Sequence, residues 1–291
     1  MLTIFSVPKA FEGHIGLIQR NAVRSWTALG STCQVIICGD EPGAEETAAE
    51  FGVDLIPNIE RNEFGTPLLS SVFRCVEERA THDLLCYANA DLILLPDVLD
   101  ALRVVAAAYE GFLVVGDATS LDLREELDGD FEEDLRRRVA EVGRVRGRTW
   151  IDYFAFPRGS LGPLPAFAVG RPKWDNWMIW RARSMRLPVV DASASVLVIH
   201  QEHSYGHVPQ ATGKRWDGPE ADRNLSLLGF KERAFSLDDA THRLTPAGLG
   251  RNPRTLRRRV HSEIVLHPWA LPAYRPLRRT YRRLRKALSR I

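Results

Sequence analysis

Asp83-Leu84-Leu85-Cys86-Tyr87-Ala88-Asn89-Ala90-Asp91-Leu92-Ile93-Leu94 sets a polar triplet inside an apolar β region, about ninety residues from the start of the chain. A carboxylate among such neighbours is unfavourable unless a cation or several donors compensate it, so Asp91 needs a partner. One solution is a divalent metal, held at a strand end by a hard oxygen ligand and neutralising a substrate diphosphate. The other is a turn in which Asn89 and Asp91 cap the next helix. The triplet alone does not choose between them, and its neighbours must.

Upstream, Leu2–Val7 reads as a first strand, and Ile15, Ile18, Ala22, Trp26 and Leu29 recur at the spacing of one helical face until Gly30 stops it. Gln34–Cys38 is a buried strand ending in Gly39-Asp40; an Ala/Glu-rich helix near 44–50 and a strand at Val53–Ile56 follow. Leu69, Val72, Phe73 and Val76 stripe another helix before the strand at 83–87. Downstream come a helix at 97–108, a strand at Phe112–Val115, a charged helix near 131–142 and a strand at 152–156. A Gly/Pro-rich loop, a helix opened by Trp174-Asp175-Asn176-Trp177 and a strand from Ser195 that ends at His200 complete the series.

Strands joined by helices imply right-handed crossovers and an α/β fold, with a mostly parallel central sheet and helices on both faces. Such sheets bind ligands beyond the carboxyl ends of their strands. Val7-Pro8-Lys9, Asp40, Asn58 and Asn89-Ala90-Asp91 therefore mark where chemistry is expected.

The 291 residues, 45% hydrophobic and 26% charged, suffice for one large α/β domain or two modest ones and exclude disordered and fibrous architectures. Cys33, Cys38, Cys75 and Cys86 lack CxxC spacing, and the opening residues lack the features of a secretory leader. A cytoplasmic chain with reduced thiols is the expectation. No apolar run approaches the ~20 residues of a membrane-spanning helix.

The net charge of +2 hides an asymmetry. Residues 251–291 hold thirteen Lys or Arg and a single acid, Glu263, so this segment carries +12 and residues 1–250 carry −10. An acidic body argues against a nucleic-acid surface, and no nucleic-acid partner is expected. In the tail, Tyr274, Leu277, Tyr281, Leu284, Leu288 and Ile291 recur at three- and four-residue spacings with arginines between them. This basic helical C-terminal tail has the pattern of a helix lying on an anionic membrane surface, each cation contributing about 1 kcal/mol. An RNA- or protein-binding helix and a plain solvated helix are the alternatives. Between about 213 and 253 the pattern thins, as in a covering segment and linker.

Ile199-His200-Gln201-Glu202-His203-Ser204-Tyr205-Gly206-His207 places three histidines in eight residues after an apolar strand. Neutral imidazole suits Mn2+ and Zn2+, although each ring alone reads equally well as a loop histidine bonded to backbone. Phe64-Gly65-Thr66-Pro67-Leu68 has the form of a helix entry, with Thr66 capping and Pro67 in first position, and its backbone N–H groups could meet a phosphate.

A βαβαβ half, a polar triplet after the fourth strand, a Trp/Asp-rich helix start and a late histidine at a strand end together resemble a GT-A-type nucleotide-sugar glycosyltransferase, family 2-like and bacterial, over roughly residues 1–210. The triplet of that family is usually Asp-x-Asp, and Asn89 departs from it, which bears on how firmly Mn2+ or Mg2+ would be held. The resemblance implies that Asp91 is the metal ligand, completed by His200 or, as second choice, His203. It places Val7, Lys9, Asp40, Gly65, Thr66, Asn89, Ala90 and Asp91 against a UDP- or GDP-linked sugar. Asp175 matches the catalytic base that deprotonates the acceptor hydroxyl. Its competing reading is an N-cap between two core tryptophans. Asp152, Arg171, Trp174, Asn176 and Trp177 fall on the acceptor side, the tryptophans stacking on sugar faces. Arg171 and Lys173 are substitute cations should the metal site be weak, and Lys9 and Asp40 also read as solvated turn residues.

The expected layout is a catalytic domain at 1–212, a covering segment at 213–253 and a basic amphipathic tail at 254–291. The expected function is sugar transfer to a glycan or lipid-linked acceptor in cell-surface glycan synthesis, in the cytoplasm and peripheral at the inner face of the membrane. Two rivals stand beside it. A nucleotidyltransferase-like enzyme wants a glycine-rich loop after the first strand, where Val7–Gly13 has one glycine. A degenerate domain that binds a glycan or partner without catalysis is favoured by Asn89.

Overall fold

The computed structural model describes residues 1–203, 217–276 and 280. In chain order its main elements are β1 (Leu2–Ser6), α1 (Gly13–Thr27), β2 (Cys33–Cys38), α2 (Ala44–Phe51), β3 (Asp54–Ile56), α3 (Leu69–Arg79) and β4 (Leu84–Ala88). There follow β5 (Leu92–Leu94), α4 (Asp97–Ala108), β6 (Leu113–Val115), β7 (Thr119–Leu121), α5 (Glu132–Val142), β8 (Arg144–Val145) and β9 (Tyr153–Pro157). The series ends with α6 (Trp174–Ser184), β10 (Val189–Asp191), β11 (Val198–Gln201), α7 (Pro219–Leu228), β12 (His242–Thr245), β13 (Gly248–Arg251) and α8 (Leu256–Leu266).

Nine strands form one sheet in the order β13-β12-β10-β6-β9-β4-β1-β2-β3. The pairs β1–β2, β1–β4, β2–β3, β6–β10 and β10–β12 are parallel, while β9 runs antiparallel to both β4 and β6. Helices cover both faces because alternate residues of each buried strand are apolar on both sides. Leu2, Ile4, Val35 and Ile37 pack with Trp26 of α1, Ala48 of α2 and Leu102 of α4. On the opposite face Phe5 meets Phe73 of α3 edge-on at 5.2 Å, and Tyr87 meets Trp174 of α6 at 5.1 Å. Each fully buried ring of this kind contributes about 1.5–3 kcal/mol from burial alone.

A second sheet, β5-β11-β7-β8, was not anticipated. The chain leaves the large sheet at Ala88, turns through Asn89-Ala90-Asp91 with Leu92 N–H donating to the Asn89 carbonyl at 3.1 Å, and enters the small sheet as β5. The triplet is therefore a turn, but it caps no helix: α4 begins six residues after Asp91, behind Pro96. Trp26 fixes this crossing by donating its indole N–H to the Leu92 carbonyl at 3.0 Å.

Part of the stretch expected to be a thin cover joins the large sheet. β12 pairs in parallel with β10, and β13 returns antiparallel to it. Both are short, and Gly248 and Gly250 interrupt β13, so they lack the apolar alternation that reveals a strand. The residues fall into two compact units, Met1–Asn252 and Pro253 onward. In the second, α8 is capped by the Thr255 hydroxyl, which accepts from Arg258 N–H at 3.2 Å. Residues 277–279 and 281–291, which carry most of the expected tail helix, lie outside the described residues, as does His207. No described helix is long and apolar enough to cross a membrane.

Candidate functional site

Beyond the carboxyl ends of β1 and β4 lies a cavity of about 640 Å³, lined among others by Val7, Lys9, Gly65, Thr66, Asn89, Ala90, Asp91, Asp152, Arg171, Trp174, Asp175, Asn176, His200 and His203. Fourteen of the sixteen residues given a catalytic, metal, donor or acceptor role in the sequence thus border one space. Asp40 and Trp177 do not.

At one wall the turn after β4 meets the strand that returns beside it. β11 pairs antiparallel with β5, His200 opposite Leu92. Asp91 Oδ2 then lies 3.4 Å from His200 Nε2 and 3.0 Å from His203 Nε2, and the three ligand atoms fall within 4.8 Å of one another. Gln201 locks the arrangement: its backbone N–H donates to the Asp91 carbonyl at 3.1 Å and its amide to the Ile18 carbonyl at 2.7 Å. Burial would raise the Asp91 carboxyl, but the two imidazoles overcome this and hold it well below the usual carboxylate range. Asp91 Oδ1 and His200 Nδ1 are buried without a hydrogen-bond partner among the described residues. One carboxylate and two imidazoles form a donor set suited to Mn2+, and an orphaned buried carboxylate oxygen is the vacancy in bonding that a cation would satisfy. These residues therefore fit a divalent metal.

Asn89 does not stand in for an acid by itself. Its amide donates to Asp152 Oδ1 at 3.0 Å, its backbone N–H donates to the Asp152 carbonyl at 3.0 Å, and Arg146 holds Asp152 Oδ2 at 2.6 Å. Arg146 and Asp152 are both about nine-tenths buried. Burial raises the Asp152 carboxyl, Arg146 and Asn89 pull it down, and the charge of Asp91 adds to the rise.

Across the cavity, the first turn of α6 projects Asp175 and Asn176. Lys173 precedes it in the left-handed region at φ 78°, a conformation that costs a non-glycine residue about 1 kcal/mol and aims the helix start at the cavity. Asp175 Oδ1 is buried without a partner among the described residues, and burial pushes the carboxyl up to about 6. Backbone N–H groups at the helix start oppose that rise, and the nearby Asp152 reinforces it. Asp175 does not fill the N-cap position, which belongs to Lys173.

Several readings need correction. Trp177, buried, packs on Phe167 at 5.3 Å and Trp180 at 5.8 Å on the far side of α6, so it cannot reach a sugar in the cavity. Trp174 borders the cavity but is only 6% exposed, wedged between Tyr87 and Phe154. Asp40 points outward and pairs with Arg61 at 2.5 Å; Arg61 itself and Glu41 line the cavity. Thr66 caps no helix, because α3 starts at Leu69 behind Leu68. The Thr66 N–H is taken by Asn62 Oδ1 at 2.9 Å and the Gly65 N–H by the Asn62 carbonyl at 3.0 Å, so neither is open to a phosphate. Arg171 is neutralised by Glu220 of α7, with Nε at 2.8 Å.

Glu220, Arg146 and Trp150 were missed. Asp152 is legible in the sequence, but Arg146 and Trp150 precede a strand instead of following one, and ligand sites are expected at strand exits. Since β9 is antiparallel to β4, with Tyr153 opposite Ala88, its entrance meets the exit of β4. A Trp flanked by Arg and Asp ahead of a strand was the available signal.

No family model and no curated protein matches the sequence. Solved structures do. A mannosyltransferase of Pyrobaculum calidifontis in complex with GDP-Man and Mn2+ aligns over 93% of this chain and 72% of its own, with 15% identity and a TM-score of 0.50. A glucosyl-3-phosphoglycerate synthase of Mycobacterium tuberculosis covers 80% of both chains at 15% identity and 0.49. S. aureus TarS in complex with UDP-GlcNAc covers 80% of this chain and 72% of its own at 14% and 0.46. The likeness to the mannosyltransferase, together with the sheet order and the crossing after β4, establishes that this chain has the GT-A fold.

Proposed function

We propose that the chain is a glycosyltransferase that moves a sugar from a UDP- or GDP-linked donor to an acceptor hydroxyl. The observation that carries this reading is the meeting of Asp91, His200 and His203 at one wall of a cavity whose other wall presents Asp175. Asp91, His200 and His203 would hold Mn2+ or Mg2+. Bound there, the metal would neutralise charge on the departing diphosphate. Lys9 and Lys173 line the same space and add positive charge. Asp175, ordinarily ionised at pH 7 with its value near 6, takes the proton of the acceptor hydroxyl as that oxygen bonds to the anomeric carbon. The solved mannosyltransferase of like fold carries GDP-Man and Mn2+, which supports the donor class and the metal.

The acceptor in this reading is a glycan or a lipid-linked sugar, and the +12 charge of residues 251–291 supports peripheral contact with an anionic membrane from the cytoplasmic side. A nucleotidyltransferase is disfavoured by the loop between β1 and α1, residues 7–12, which holds no glycine. A degenerate binding domain has no use for a carboxylate that keeps one buried oxygen without a hydrogen-bond partner at a helix start bordering the cavity. The test is release of nucleoside diphosphate from UDP- and GDP-sugars with Mn2+ by the wild type, Asp91→Ala and Asp175→Ala. Loss in both variants is expected; unchanged release in both removes the assignment.

A further inference from the structure

We infer that Trp150 is the platform for a carbohydrate ring of the acceptor; this rests on the transfer reading above. Among the aromatic residues bordering the cavity, Tyr87 is 2% and Trp174 6% exposed, whereas Trp150 is 37% exposed. Leaving more than a third of a tryptophan exposed forgoes part of its burial gain, and here the exposure is not that of a loose loop. The segment is pinned by the two residues just ahead of the ring. Arg148 donates to Asp191 at 2.8 Å and Asp238 at 2.5 Å, and the Thr149 carbonyl accepts from Asn176 at 3.4 Å.

The Arg146 guanidinium lies 4.6 Å from the centre of the Trp150 ring, and Arg146 is itself fixed by Asp152. A cation over the ring sets its orientation, and the Asp152 carboxylate cancels the charge. What the cavity then meets is a rigid, electrically balanced aromatic surface. The polarised C–H face of a sugar ring fits such a surface; a phosphate or carboxylate does not. The Thr149–Asn176 bond ties this loop to the turn of α6 that carries Asp175. A sugar resting on Trp150 therefore lies on the side of the cavity where the base waits for a hydroxyl.

The sugar could belong to the acceptor or to the donor, and the experiment separates the two. Saturation-transfer NMR would follow methyl glycosides of glucose, galactose, mannose and N-acetylglucosamine on wild type, Trp150→Ala and Trp150→Phe, while calorimetry with Mn2+ follows UDP, GDP and their sugar conjugates. At least one glycoside should bind the wild type, about tenfold more weakly to Trp150→Ala and within about threefold to Trp150→Phe. Nucleotides and nucleotide sugars should bind all three proteins alike. The inference falls if no glycoside binds the wild type or if Trp150→Ala binds it equally well. It falls also if the loss appears in the nucleotide sugars, which would make the platform the donor's, or in the nucleotides, which would make Trp150 a structural support. If nucleotide binding instead proves indifferent to Mn2+ while glycoside binding depends on Trp150, the transfer reading fails and the sugar contact stands.

Discussion

Asp91 Oδ2 stands 3.0 Å from Nε2 of His203, a residue 112 positions later in the chain. Antiparallel pairing of β5 with β11 brings the two together, and the buried Gln201 between the histidines holds the spacing. Neither imidazole alone makes the site. His200→Ala and His203→Ala should each weaken Mn2+ binding by at least about tenfold, read by electron paramagnetic resonance of the free ion. If both variants retain wild-type affinity, the metal lies elsewhere.

Asp175 combines a catalytic and a stability consequence. Asp175→Asn should lower donor turnover on the order of a hundred- to ten-thousand-fold, with nucleotide affinity little changed. In the wild type, kcat/KM should rise with pH through about 6, as the base loses its proton. A carboxyl raised from its ordinary 3.8 takes up protons more readily folded than unfolded, so it costs stability as pH climbs from about 4 to 6 and above. Asp175→Asn should therefore unfold at higher denaturant than wild type at pH 8, by on the order of 2 kcal/mol, and the gain should vanish below about pH 4. An equal difference at both pH values contradicts the burial argument.

Restoring an acid at the first position of the triplet should do harm. In Asn89→Asp the donor to Asp152 Oδ1 is replaced by a second carboxylate at that 3.0 Å contact. A loss of about 1–2 kcal/mol at pH 8 is expected, shrinking toward pH 5 as the pair takes up a proton. Adding Asp152→Asn should recover part of it. Chemical denaturation at the two pH values measures this, and a variant as stable as wild type at pH 8 speaks against the network.

Glu220 of α7 accepts from Arg171 and, at 2.8 Å, from the Asn62 amide. Glu220→Gln leaves the partly buried guanidinium without its counter-charge and should cost about 1–2 kcal/mol in urea unfolding at pH 7. Burial would raise the Glu220 carboxyl, but Thr66, Asn62 and Arg171 hold it below its usual value, so its contribution is present above that value and lost on acidification. The gap between variant and wild type should close below about pH 4. A gap that persists there would assign the loss to packing.

Much of this was legible in the residues. The stripe from Ile15 to Leu29 becomes α1, and the burial cost of a carboxylate in an apolar run was enough to demand a partner for Asp91. That His200 and His203 supply it was a matter of residue type until the return of β11 beside β5 was visible. The small sheet hid because β5 and β7 have three residues each, too few to show a period. Trp177 misled because residues 174 and 177 share a helix face in sequence spacing, whereas only the opening turn of α6 borders the cavity. Thr66 misled for a similar reason: a capping residue before proline is also the close of a tight loop, and Asn62 made it the latter. Asp40 sits where strand exits are expected to bind, but the direction of a side chain after the last strand residue is set by its partner, here Arg61.

The most direct test is a calorimetric titration of UDP and GDP into the wild type and Asp91→Ala, with and without Mn2+. At least one nucleotide should bind the wild type about tenfold or more tightly with the metal present, and that gain should be absent in Asp91→Ala. Equal affinity with and without Mn2+, or a metal effect that survives the substitution, would contradict the site as described.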